Sequence, residues 1–262
     1  MAAHVILKPH HPLGSQQKDN LCGPFWAARM LNESGFSTWD GKPIDEDLIA
    51  LHANTVLPAA HDGADVPPGA TSYATYRFAL SKGPVEQSGT AAGALADAIE
   101  AASSGDLRCV PLCGAWTAER VERLTEGAWQ IGARLIANVR TGRLWGSKPS
   151  VEVVLAELGA QPVVDPAPDW DVGHFVKLEM LIRGPQHSLV VVHDSYPSLG
   201  SGGRHLQPPR ALAAALLRGD GREGGVLAVV SRERAQAVLA LATELGLEIG
   251  AWNNGTKELT AP

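Results

Sequence analysis

Apolar residues recur at helical spacing after Cys22, and this pattern predicts a helix at the front of the chain. Pro24 suits the first turn of this helix, where its missing N–H costs nothing. Gly35 suits a left-handed residue that ends it. The same reasoning predicts further helices around 45–54, over 90–103, from Thr117 to about Leu135, from Ser150 through Leu158, at 209–218 and at 231–245.

Two apolar runs in the second half of the chain predict an antiparallel hairpin. They cover 174–182 and 187–193, and a turn that contains Gly184 and Pro185 joins them. Such a hairpin places the start of its first strand beside the end of its second strand. Shorter strands are predicted at 136–139, 225–230 and 247–252.

The order of these elements predicts an α+β fold in a single domain over 1–262. Its first part, 1–135, is expected to be mainly helical, and its second part, 136–262, to carry the hairpin and a C-terminal extension of helices and strands. Residues 55–90 are rich in Pro, Gly and Ser, which is typical of loops. Long loops in compact enzymes often cover or line a site.

Composition and charge narrow the range of partners. Hydrophobic residues make up 45% of the chain and charged residues 19%, as in a soluble globular protein. The formal net charge of −6 disfavours nonspecific binding to nucleic acid and to anionic membranes, so we expect neither as a partner. No signal peptide or membrane-spanning segment is recognisable, and the odd number of cysteines argues against a disulfide framework. We therefore expect a cytoplasmic protein.

The remaining cysteines and histidines do not suggest a metal site. Cys109 and Cys113 lie among apolar residues, with Pro111 between them, and are expected to be buried structural thiols. Zinc sites generally need a closer pair and further ligands. The sequence thus predicts neither a metal nor a cofactor.

Cys22 is the first candidate for chemistry because it opens the predicted helix. The unpaired N–H groups and the dipole at a helix start favour the thiolate, which is the reactive form of cysteine. Gly23 leaves the backbone beside the sulfur uncrowded, and the N–H of Cys22 can point at a developing oxyanion. A side-chain amide upstream can supply a second donor: Gln16 is preferred, with Gln17 as an open alternative.

His174 is the candidate base, since it follows Gly173 and opens the strongest predicted strand. Its ring needs a partner that fixes the tautomer and leaves the other nitrogen for the thiol. Asp194 ends the second strand of the same hairpin, so the two side chains are expected to meet. Trp170 and Trp145 fall in predicted loops and are candidates for the wall of an acyl-binding cleft, as is Gly173.

These residues together resemble the papain-like cysteine peptidase superfamily. The stretch from Gln16 to Cys22-Gly23-Pro24, then Gly173-His174-Phe175-Val176, then Asp194-Ser195-Tyr196-Pro197, is most similar to its C39-like branch. The resemblance implies Cys22 as nucleophile, His174 as base, Asp194 as the residue that orients it, and Gln16 as oxyanion donor. It also implies a helical subdomain packed against an antiparallel sheet, with the cleft between them.

The match covers about 20 residues at the front and about 30 in the hairpin. It departs from the C39-like pattern at Ser195, which stands where that branch has Pro and is closer to the Asn-Ser-aromatic sequence of papain. The resemblance implies a hydrolase of amide or peptide bonds that forms a thioester with a peptide-like or acyl substrate. Acyl transfer or cyclisation through the same intermediate, a non-catalytic binding protein on the same fold, and a redox-sensing thiol are the alternatives.

Overall fold

A seven-stranded antiparallel sheet is the central feature of the computed structural model, which describes residues 16–60 and 66–256. The chain is therefore mixed α/β with a large antiparallel sheet. The strands in chain order are β1 (Thr38–Trp39), β2 (Lys42–Pro43), β3 (Val56–Pro58), β4 (Ser81–Gly83), β5 (Leu107–Cys113), β6 (Arg134–Arg140), β7 (Gly173–Arg183), β8 (Ser188–His193), β9 (Arg204–Gln207), β10 (Gly225–Ser231) and β11 (Glu248–Ile249). The large sheet has the order β11-β5-β10-β6-β7-β8-β9, and β1-β2 and β3-β4 form separate pairs.

Helices cover both faces of this sheet. They are α1 (Cys22–Glu33), α2 (Glu46–His52), α3 (Ala92–Ala102), α4 (Ala118–Ile131), α5 (Val151–Leu158), α6 (Pro209–Leu217) and α7 (Ala235–Glu244). Short 3-10 turns lie at Val85–Gln87, Thr141–Arg143 and Arg232–Arg234.

The apolar core is divided between the two faces, because successive side chains of a strand point to opposite sides. Along β10, Val226, Ala228 and Val230 pack with residues of α4, α6 and α7. The intervening Leu227 and Val229 pack with residues of α1, α2 and α3. The sheet is thus enclosed between two helical layers.

Several predicted helices are confirmed together with their boundary residues. Thr117 caps α4 by accepting from the N–H of Arg120, and Ser150 caps α5 in the same way. The expected end of the fourth helix near Leu135 is wrong: Gly132 adopts a left-handed conformation that ends α4, and β6 begins two residues later.

The predicted hairpin is confirmed as β7 and β8, with an irregularity in their pairing between Leu178 and Met180. Two strands of the sheet, β5 and β9, were not predicted. The strand β5 comes from the part expected to be mainly helical, and α6 and α7 come from the predicted C-terminal extension of helices and strands.

Helices that combine the length and the apolar character needed to cross a bilayer are absent from the described ranges.

Candidate active site

A pocket of about 310 Å³ is lined by both Cys22 and His174. The first residue of α1 and the first residues of β7 meet here, although they are far apart along the chain. Gly89 and Thr90, from the long loop region between α2 and α3, line the same pocket. The loop region that the sequence marks as a possible lining therefore contributes to it.

Helix α1 places Cys22 as its first residue. Leu21 precedes the helix and provides no side-chain cap for the N–H groups of the first turn, and Pro24 has no N–H to donate. The free N–H groups and the helix dipole favour negative charge at this end of the helix. The site can thus stabilise a thiolate or an oxyanion without any metal.

His174 interacts with both Cys22 and Asp194. Its Nε2 lies 3.2 Å from Oδ1 of Asp194, and Cys22 acts on the ring through its charge and a side-chain hydrogen bond. The contact between His174 and Asp194 is shielded from solvent, since both residues are buried. The structure therefore brings together the three residues that the sequence singles out as thiol, imidazole and carboxylate.

The electrostatics of this trio favour a charged imidazole. Burial by itself lowers the pKa of His174, but the charges of Asp194 and Cys22 and the hydrogen bonds with both raise it to about 10. Burial likewise works to raise the pKa of Asp194, but the charge and hydrogen bond of His174 outweigh it and lower that pKa. At neutral pH the pair is an imidazolium beside a carboxylate.

Gln17 and Ser195 connect the loop before α1 to the end of β8. Ser195 donates its hydroxyl to Oε1 of Gln17, and that hydroxyl lies 3.4 Å from Nε2 of His174. Nε2 of Gln17 donates to the hydroxyl of Tyr196 and to the carbonyl of Lys18, each at 3.1 Å. Gln17 is buried and lines the pocket together with Tyr196.

The pocket lining does not include four of the sequence candidates: Gln16, Gly23, Trp145 and Asp194. Gln16 donates its amide to the carbonyl of Thr71, in the segment that packs on the loop before α1. Gly23 packs against Leu95 and Phe175, and a β-carbon at this position would lie 3.0 Å from the Leu95 side chain. The lack of a side chain at Gly23 therefore serves the packing of α1 on its neighbours rather than access to the sulfur.

Trp170 and Gly173 do line the pocket. The Trp170 ring meets the His174 ring edge-on, with centroids 5.1 Å apart, and the Tyr196 ring at 5.4 Å. Trp145, the other expected wall residue, is instead buried in a separate apolar cluster with Leu189. The rings of Trp170 and Tyr196 thus both pack near the His174 imidazole.

The loop before α1 is held in place through Asp19. Its carboxylate accepts from the hydroxyl of Ser72 and from the N–H of Tyr73, and its backbone carbonyl accepts from the hydroxyl of Tyr76. Asn20 follows with a positive φ of 62°, which asparagine tolerates better than most residues. These contacts fix the chain direction immediately before Cys22.

Sequence reasoning missed the buried polar residues that complete the pocket wall. Asn138, on β6, accepts from the indole N–H of Trp252 and from Nη1 of Arg218, each at 3.3 Å. Arg218 is buried at the end of α6 beside Gly173, where a β-carbon would lie 2.8 Å from its Nη2. An arginine after a run of Ala and Leu gives no indication in sequence that tertiary contacts bury it.

Within the described residues, no group of three or more His, Cys, Asp or Glu side chains could hold a metal ion.

Comparison with known proteins identifies the family to which this chain belongs. The search of curated proteins finds no match to this sequence. The model of a protein family described as a family of unknown function, DUF6885, matches residues 2–253, which is nearly the whole chain. The chain belongs to this family.

Proposed function

We propose that this protein is a cysteine-dependent acyl-transferring enzyme, in the first instance a hydrolase of amide or peptide bonds, built on a papain-like arrangement. The observation that carries the proposal is that Cys22 and His174 line one pocket and interact there, while the buried Asp194 contacts the His174 ring. A nucleophile, a base and a group that orients the base form the functional unit of this chemistry. The placement of the thiol at a helix start and of the imidazole on an antiparallel sheet supports the papain-like assignment.

The reaction begins when the Cys22 thiolate attacks the carbonyl carbon and forms a C–S bond. The carbonyl π electrons move to oxygen, and the tetrahedral oxyanion lies near the free N–H groups at the start of α1. His174 then donates its proton to the leaving amine as the C–N bond breaks. The product is a thioester on Cys22. Neutral His174 next takes a proton from water, which attacks the thioester and releases the acid and the thiolate.

Gln17 is the better placed of the two glutamines to help hold the oxyanion. It lines the pocket, whereas Gln16 lies outside the lining with its amide on Thr71. For this role one N–H of Gln17 exchanges the Tyr196 hydroxyl for the oxyanion.

Gln17→Ala is therefore expected to slow acetylation of Cys22 by 4-nitrophenyl acetate by about a hundredfold, the usual effect of losing one oxyanion donor. Alkylation by iodoacetamide should be unchanged, because displacement of iodide forms no oxyanion. Gln16→Ala is the matched control and should leave both rates unchanged. Parallel losses of acetylation and alkylation in Gln17→Ala would mean that Gln17 supports the fold of the site instead.

The proposal as a whole is tested by intact-mass trapping of the acyl-enzyme. With 4-nitrophenyl acetate as the probe, we expect a single acetyl group on the native chain and a matching burst of 4-nitrophenolate. Cys22→Ala should give neither, while Cys113→Ala, which removes another free and partly exposed thiol, should behave like the native chain.

Two results would count against the proposal that this protein is an enzyme with Cys22 as its nucleophile. One is an adduct that persists in Cys22→Ala, which would place the nucleophile elsewhere. The other is a Cys22 that reacts no faster with iodoacetamide at neutral pH than a free thiol such as N-acetylcysteine, which would favour a binding protein on the same fold.

A further inference from the structure

Three arginines cluster on the wall of the pocket that holds Cys22 and His174. They are Arg140 at the end of β6, Arg218 after α6, and Arg222 in the turn before β10. Side-chain burial differs among them: the side chain of Arg218 is only 1% exposed, whereas that of Arg140 is 27% exposed. A guanidinium group as deeply buried as that of Arg218 needs compensating partners.

Two carboxylates supply the compensation in this cluster: Asp220 contacts both Arg218 and Arg140, and Asp171 contacts Arg140. The Asp220 carboxylate forms a bidentate ion pair with Arg218 and accepts from its Nε at 3.2 Å and its Nη2 at 2.9 Å. Asp171 binds Nε of Arg140 at 2.5 Å, and Asp220 lies 3.6 Å from Nη1 of the same arginine. Asp171 and Asp220 therefore compensate Arg140 and Arg218, and the third guanidinium of the cluster, that of Arg222, pairs with neither.

Arg222 contacts the backbone instead. Its Nη2 donates to the backbone carbonyl of Glu86 at 2.8 Å, and its guanidinium lies against Gly255. Among the described residues, its side chain has no carboxylate within ion-pair distance. Most of its N–H groups therefore remain for a ligand.

Two further acidic residues line the pocket, Asp19 and Glu86. The Asp19 carboxylate accepts from Ser72 and Tyr73, and Glu86, whose carbonyl binds Arg222, is exposed to solvent. Within the described ranges neither carboxylate forms an ion pair with Arg222. The remaining polar wall is neutral and includes the amides of Asn138 and Asn254. The pocket thus combines a thiol–imidazole pair with one unmatched guanidinium.

Resting on the proposed function, we infer that the substrate carries a carboxylate, which Arg222 binds while the scissile carbonyl lies at Cys22. A single unpaired guanidinium suits a monoanion better than a phosphate dianion, and its planar fork matches a carboxylate. The volume of about 310 Å³ suits a small amide or the C-terminal end of a peptide. The substrate class is therefore a small acyl compound or peptide terminus with a free carboxylate.

Charge-matched alkylating reagents test this inference. N-bromoacetyl derivatives of glycine, β-alanine and 4-aminobutyrate, and the primary amides of each, deliver the same reactive carbon with and without a carboxylate at increasing distance. In each reaction the Cys22 sulfur forms a C–S bond and bromide leaves. At least one acid of the series should label Cys22 about tenfold faster than its amide, which corresponds to one charge-assisted contact.

Arg222→Gln should remove this preference and leave the rates of the neutral amides unchanged. Arg143→Gln is the matched control: it removes one positive charge near the same turn, where Arg143 lies beside Gly219 and outside the pocket lining, and it should keep the preference. Equal rates for acids and amides in the native chain, or a preference that survives in Arg222→Gln, would overturn the carboxylate site. Cys22 would remain the nucleophile in that case.

A Cys22 that reacts with neither reagent type would instead refute the proposed function. The carboxylate site is then decided by saturation-transfer NMR on the native chain, with N-acetyl-β-alanine and its amide as probes. Selective binding of the acid that disappears in Arg222→Gln supports the site. Binding of neither probe, or of both alike, overturns it.

Discussion

Replacing His174 by glutamine is expected to lower the rate at which iodoacetamide alkylates Cys22 at neutral pH by about a hundredfold. The imidazole contacts the thiol and is charged at this pH, since its pKa is raised to about 10. Loss of the cation removes the positive charge beside the sulfur, which favours the attacking thiolate. The rate should recover part of the loss in alkaline solution, where a thiol ionises without help.

The measurement is the pseudo-first-order rate of mass gain on Cys22 across a pH series. His187→Gln makes the same chemical change at an exposed histidine of the β7–β8 turn and should alkylate like the native chain. Thermal unfolding of both variants checks that the fold persists. A His174→Gln protein that keeps the native rate and pH profile would show that the contact between imidazole and thiol has no chemical consequence.

The parts of the site that the sequence predicted are those governed by local rules. A cysteine before Gly-Pro and an apolar helical run marks the start of α1, and the run from His174 with its Gly-Pro turn marks the hairpin. Once the hairpin is known, the meeting of His174 and Asp194 follows from antiparallel pairing. Local pattern and simple topology are therefore enough to place His174 beside Asp194, whereas the approach of Cys22 to His174 was expected from the papain-like resemblance.

What the sequence could not predict depends on contacts between distant segments. Pro111 argues against a strand in the interior of a sheet, yet β5 includes it, and on the outer side of β5 lies only the short β11. Gln16 and Gln17 are neighbours, and spacing alone does not decide which of them faces the pocket. That choice follows from the bonds of Gln17 to Ser195 and Tyr196.

The pocket wall shows the same limitation more strongly. Arg218 adopts a positive φ of 59° and is buried through contacts with Asn138 and Asp220. None of these features follows from residue type or spacing. The arrangement of charged groups in the pocket is therefore a property of the tertiary structure.

Replacement of Asp194 separates the two contributions that its carboxylate makes to His174. One is orientation, through the hydrogen bond to Nε2, and the other is charge, which raises the pKa of the imidazole. Asp194→Ala removes both, and we expect alkylation of Cys22 at neutral pH to fall by about a hundredfold. Asp194→Asn keeps an oxygen that can accept from Nε2 and from the N–H of Tyr196 but removes the charge, so its loss should be smaller.

The pH dependence of the free energy of unfolding distinguishes Asp194→Asn from the native chain because the size of the effect differs. The pKa of His174 is raised from its ordinary value of 6.5, so the stability gained from its charged form is complete below that value and is lost as pH rises towards about 10. Native stability should therefore decline over this interval, and Asp194→Asn should show a smaller decline because its imidazole loses the proton at lower pH. Chemical denaturation across the interval, with NMR titration of His174, measures both effects. An unchanged His174 titration in Asp194→Asn would mean that Cys22, rather than Asp194, supplies the charge that holds the proton.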